Sequence, residues 1–123
     1  MIGGTDIMIP AIGNASAVEA CGRVIQGHWP CARFEDAETG EKYNRYGDVP
    51  TAQVRELLVY HDAAAEAAWD ADSADSPPNS MLYLIFSPQF ITAVMDDPNT
   101  DEMQAILASL RQHLASPAPV SKP

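Results

Sequence analysis

The chain has 123 residues, 46% of them hydrophobic and 20% charged, and its seventeen Asp and Glu against seven Lys and Arg give a formal charge of −10. That length holds one domain with a real core, and that charge repels phosphate, excluding nucleic acid and anionic membrane as direct ligands and making a basic protein the natural partner. Cys21 and Cys31 are too few for a disulfide framework, and each reads as a small buried hydrophobe in a reducing compartment.

The first ten residues lack a basic segment and are interrupted by Asp6 and Pro10. Neither a signal peptide nor a membrane span fits them, so a cytoplasmic location is expected. Ile7 and Ile9 suit an edge strand or a docking arm. Ser16 and Glu19 have capping-box spacing and predict a helix over 17–26, with Val18, Cys21, Gly22 and Ile25 on its apolar face and Gly27 at its end. Over 29–46 the period changes to two, predicting a polar hairpin that turns at Glu38-Thr39-Gly40-Glu41. Residues 55–61 are rich in branched and aromatic side chains and read as a third strand. Asp62 stands where an N-cap belongs, before an alanine-rich helix over 63–71 that can lie close to a sheet. An acidic, proline-containing loop follows over 72–80.

Residues 81–97 are the only sustained apolar block. Ser87-Pro88-Gln89 divides it into strands over 81–86 and 90–95, and so tight a connection makes them antiparallel. Leu82, Leu84 and Phe86 oppose Met81, Tyr83 and Ile85, while Ile91, Ala93 and Met95 oppose Phe90, Thr92 and Val94. Both faces are apolar. Helices must therefore cover one face, and the N-terminal segment or a second copy of the chain the other. A homodimer with Phe90, Ile91 and Met95 at its interface is expected. Asn99 and Glu102 repeat the capping-box spacing and predict a last helix over 100–115, striped by Met103, Ile106, Leu107, Leu110 and Leu114. The proline-rich segment 116–123 is expected to be a disordered tail to a single domain over 1–115. The class is α+β: an antiparallel sheet of about five strands with three helices, in the order α-β-β-β-α-β-β-α.

Chemistry is harder to find. Cys21, His28 and Cys31, with His61, have zinc-ligand side chains, but there is no C-x-x-C unit and core packing accounts for Cys21. A Cys31, His61 and Asp62 nucleophile set is better read as a strand end followed by a helix cap. Asp96 and Asp97 read as strand-terminating residues before Pro98, and Trp29, Tyr43, Tyr46 and Trp69 as core aromatics. No phosphate-binding loop, dinucleotide fingerprint, nucleophile elbow or H-E-x-x-H unit is present. No catalytic residue, metal ligand or cofactor is assigned, and the chain is read as a non-enzymatic binding protein. Its partner-binding residues are expected to be Asp62, Glu66, Trp69, Asp70, Asp72 and Asp75, with Asp96 and Asp97. The rival reading is a small enzyme or a metal- or ligand-binding domain built on an acidic recess with His61.

In element order and acidity the chain resembles small acidic type III secretion chaperones, whose helix, three strands, helix, two strands and helix correspond here to 17–26, 29–61, 63–71, 81–95 and 100–115. The likeness lies in order and charge rather than in a residue signature. Members of that group carry a leucine-rich first helix and a hydrophobic first hairpin, where this chain is short and polar. The resemblance implies an escort that pairs through its later strand and helix region. An immunity protein blocking a cationic toxin is the other form of the same expectation.

Overall fold

The apolar hairpin lies inside the sheet, with a further strand on each side of it. The computed structural model describes residues 4–71 and 78–115. In chain order these form β1 (Thr5–Pro10), α1 (Ala15–His28), β2 (Arg33–Asp36), β3 (Lys42–Tyr43), a short turn of helix at Tyr46–Asp48, β4 (Glu56–Tyr60), α2 (Ala63–Asp70), β5 (Met81–Phe86), β6 (Phe90–Met95) and α3 (Asp101–His113). The strands make one sheet in the order β1-β6-β5-β4-β2-β3, and every pairing is antiparallel. The α+β class is as expected, with one strand more than the sequence indicated. The sixth is β1, which carries Ile7 and Ile9; it extends the sheet beside β6 and does not fold over the hairpin's second face.

One face of the sheet is closed by two helices. Leu57, Val59, Leu82, Leu84, Ile91, Ala93 and Met95 meet Cys21 and Ile25 of α1 and Met103, Ile106 and Leu110 of α3 in a single buried cluster. Trp29 is fully buried in it, immediately after α1. Ile91 and Met95, expected at a dimer interface, are 0% and 1% exposed here. They lie beneath the helices, and only Phe90 of that trio reaches the surface. The Cys21 thiol also belongs to this core, where burial pushes its pKa up to about 12. Cys31, by contrast, is exposed in the turn before β2, against the expectation that it packs inside.

Helix starts follow the nearest side chain able to cap them. Asn14 caps α1 by accepting from the Ala17 N–H at 3.1 Å, ahead of the Ser16 position, so the helix starts earlier and Gly27 lies within its last turn. The entry is fixed by Gly13, whose N–H donates to the Ser87 carbonyl at 2.9 Å. A Cβ there would stand 2.2 Å from that oxygen. Thr100, not Asn99, caps α3, while the Asn99 N–H is held by the Asp97 carboxylate at 2.9 Å. Gly22 is where α1 touches the Tyr46–Asp48 turn, since a Cβ would approach the Tyr46 Cβ to 2.7 Å.

The burial pattern sets unequal costs along β6. Ile91→Ala should destabilise the chain by about 2–5 kcal/mol, the usual cost of removing a closely packed aliphatic side chain. Phe90→Ala, at the exposed start of the strand, should cost under about 1 kcal/mol. Urea denaturation of the two variants measures the difference.

Candidate interaction surface

Among the described residues, only α2 covers the opposite face of the sheet. Asp62 caps this helix by accepting from the Ala65 N–H at 2.8 Å, and the bond, with His61 beside it, holds the Asp62 carboxyl below the usual carboxylate range. Ala65 then packs on Leu58 and Tyr60, and Trp69, Met81 and Tyr83 close around them. With eight residues, α2 covers one end of this face and leaves the rest open.

Strand register decides what is left open. Asp6, Val94, Tyr83 and Leu58 are successive cross-strand neighbours from β1 to β4, and Met8, Thr92, Ile85 and Glu56 form the next row. Beside α2 these rows make a shallow recess of about 450 Å³ with Leu58, Tyr83, Ile85 and Val94 in its floor and Asp6, Ala37 and Trp69 at its margin. Met8 and Phe90, the large hydrophobic side chains most open to solvent at 52% and 37%, belong to the same face. The Met8 sulfur accepts from the Thr92 hydroxyl at 3.2 Å, which lays its side chain toward β6.

Carboxylates surround this apolar floor. Glu35 accepts from the Tyr60 hydroxyl at 2.8 Å, and Glu56 accepts from the Tyr83 hydroxyl. The Glu56 bond, then burial, then the charges of Glu56 and Glu38 push the Tyr83 phenol up to about 12, because a tyrosinate there would face carboxylates. Burial, and then the Glu35 bond, drive Tyr60 further in the same direction. The basic residues of this face are already engaged: Lys42 with Asp70, and Arg33 with Glu66 at 3.6 Å. Among the described residues Asp6, Glu35, Glu38 and Glu56 form no ion pair, although Glu35 lies opposite Lys42 and its charge reaches that ammonium.

The partner residues expected from sequence are dispersed by this arrangement. Trp69 and Asp70 lie at the recess and beside Lys42. Glu66, at 8% exposed, is under α2 and not on the surface; its Oε2 and the Arg33 Nε are buried without hydrogen-bond partners. A carboxylate so placed is costly unless paired, which is the role Arg33 fills. Asp62 is taken up in capping. Asp96 and Asp97 bracket Asn79: the Asp96 carboxylate accepts from the Asn79 N–H at 2.9 Å, and the Asp97 N–H donates to the Asn79 side chain at 2.9 Å. Asn79 has φ of 55°, a left-handed conformation that asparagine tolerates and these bonds hold. Asp72 and Asp75, like the 116–123 segment, lie outside the described residues.

Of the candidate nucleophile set, His61 Nδ1 and Asp62 Oδ2 meet at 3.1 Å, and Cys31 is exposed in the turn before β2. The His61 ring meets Trp29 at a tilt of 58° with ring centroids 5.2 Å apart, and the His28 Nε2 meets the Ser109 hydroxyl at 3.0 Å, bridging α1 to α3. No three His, Cys, Asp or Glu side chains among the described residues are arranged to hold an ion. No described helix is long and apolar enough to cross a membrane. Asp6, Glu35, Glu38 and Glu56 were not among the partner-binding residues expected from the sequence. Alternation assigns Asp6, Glu35 and Glu56 a facing within their own strands and Glu38 stands in the turn after β2, but only the strand order brings them around one recess.

The tyrosine environment gives a pH signature. A phenol whose pKa is raised in the folded chain stabilises it fully below the ordinary value of 10.0, and that contribution is lost as pH climbs through the folded value, about 12 for Tyr83. Stability should therefore decline above pH 10, and Glu56→Gln, which removes the opposing charge, should bring one tyrosine midpoint down toward 10. Tyrosinate absorbance during alkaline titration reads both effects. No protein-family model, curated protein or solved structure matches the chain.

Proposed function

We propose that the chain is a non-enzymatic binding protein that escorts or neutralises a basic protein partner, and that the partner docks on the open sheet face between α2 and β1. The observation that carries this reading is an apolar recess, floored by Leu58, Tyr83, Ile85 and Val94, beside the carboxylates of Asp6, Glu35, Glu38 and Glu56, which form no ion pair among the described residues. Apolar contact supplies affinity at the centre of an interface, and rim charges steer approach and select against acidic competitors. The complementary ligand is a segment with one or two large apolar side chains flanked by lysine or arginine. A net charge of −10 strengthens the same preference at long range.

Two biological forms share this chemistry. A secretion-chaperone-like escort holds such a segment in an extended, unfolded chain, whereas an immunity-like inhibitor meets it on a folded cationic toxin. Element order favours the escort: from α1 onward the helices and strands run α-β-β-β-α-β-β-α.

Calorimetry with a synthetic peptide alternating lysine with leucine and phenylalanine tests the docking face. Binding should weaken as salt rises, because solvent-exposed charges are screened within a Debye length. Ile85→Lys and Glu38→Lys should each reduce affinity by about tenfold, equivalent to 1.4 kcal/mol. An Ile85→Lys protein that binds as tightly as the parent rejects this face, and a peptide of glutamate and leucine that binds equally well rejects the charge selection.

A further inference from the structure

β1 is an edge strand with little of the usual protection: its one charge is Asp6 and its one proline closes it. It contributes six residues in unbroken register with β6, so no bulge bends it away. It contains no lysine or arginine, and its single proline is the last residue. Natural sheets blunt exposed edges with short strands, charge, proline or bulges. The opposite edge, β3, follows that rule with only two residues.

The hydrogen-bonding direction of β1 follows from the hairpin turn. The Ser87 N–H donates to the Phe90 carbonyl at 3.0 Å, so residue 90 turns its backbone groups toward β5. Alternation along an antiparallel strand sends Thr92 and Val94 the same way, and Ile91, Ala93 and Met95 toward β1. Their partners Ile9, Ile7 and Thr5 therefore bond inward. The N–H and C=O groups of Asp6 and Met8, with the Pro10 carbonyl, are directed out of the sheet. Met8 is also the most exposed large hydrophobic side chain described.

We propose that this edge pairs with β1 of a second copy, in the antiparallel register that sets Met8 opposite Met8 and Asp6 opposite Pro10 of the other chain. In that register the two Met8 residues exchange N–H···O=C bonds, and each Asp6 N–H donates to the partner's Pro10 carbonyl. Every outward donor of the strand is used, and the missing proline N–H falls at the end of the ladder, where nothing requires it. The two exposed thioethers cover each other. The alternative symmetric register, centred on Ile7, would instead bring the two Asp6 carboxylates to diagonal positions about 7–8 Å apart, where like charges repel. Charge thus selects the Met8-centred pairing. The product is one continuous sheet in which two acid-rimmed recesses lie on the same side, so a partner with two basic segments would meet both. This last consequence rests on the proposed docking face; the pairing itself does not.

Sedimentation velocity across a wide concentration range tests the pairing. The parent chain should convert from monomer to dimer as concentration rises, and more readily at high salt, since both copies are acidic. Met8→Lys should remain folded and monomeric, whereas Phe90→Lys should still dimerise. In a Cys31→Ser background, Met8→Cys should be joined into a covalent dimer by a short bifunctional thiol reagent, because a hydrogen-bonded antiparallel pair holds the two Cβ atoms about 5.5 Å apart on one face. A parent chain that stays monomeric at every concentration, a dimer untouched by Met8→Lys, or a Met8→Cys dimer that does not cross-link would each overturn the proposal. The salt responses are opposite for the two readings. A monomer that still binds the cationic peptide removes only the pairing, and a dimer indifferent to the peptide removes only the docking face.

Discussion

The constraint on which the molecule depends is that β5 and β6 are apolar on both sides and lie in the middle of the sheet. Water cannot solvate either face of such a hairpin without loss of most of its burial energy, so the chain has to supply two covers. Among the described residues it has helices for one and a half. α1 and α3 carry broad apolar stripes and close the Leu84, Ile91 and Met95 side completely. α2 is short and alanine-rich, and it reaches only the Leu58 and Tyr60 end of the other side. The open half that remains is a direct result of how the apolar residues are distributed among the helices.

Electrostatics gives that open half its character. Where a carboxylate falls near α2, the chain provides a cation: Arg33 for the buried Glu66 and Lys42 for Asp70. Other carboxylates of this face are met by phenols. Glu35 and Glu56 accept from Tyr60 and Tyr83, bonds that fix the side chains in place without forming an ion pair. Exposed like charges around an apolar floor are a poor arrangement for an isolated monomer and a good one for a ligand of the opposite sign.

Local features were legible in the sequence because they are set by near neighbours. The Asp62 cap, the split of the apolar block at Ser87-Pro88-Gln89, the hairpin turn before β3 and the α3 stripe all follow from spacings of a few residues. Small errors arose where two capping side chains compete, as with Asn14 against Ser16 and Thr100 against Asn99, and the winner depends on how the preceding loop enters the helix. Larger ones concerned facing. Ile91 and Met95 could not be distinguished from Thr92 and Val94 as the helix-covered set, because both alternating sets are apolar. Glu66 looked like a surface acid until its neighbour across the sheet, Arg33, thirty-three positions earlier in the chain, was known. The recess itself is a product of strand order, which brings Asp6 and Glu56 to one face from distant parts of the chain.

The two tryptophans divide between the two sides of the sheet. Trp29 is sealed in the helical layer, and Trp69 is half-buried at the margin of the recess. Emission from the first reports whether the packed layer is intact, and emission from the second reports whether anything occupies the opposite side. An unlabelled chain with one indole replaced at a time thus carries separate optical probes of its folding and of its occupancy.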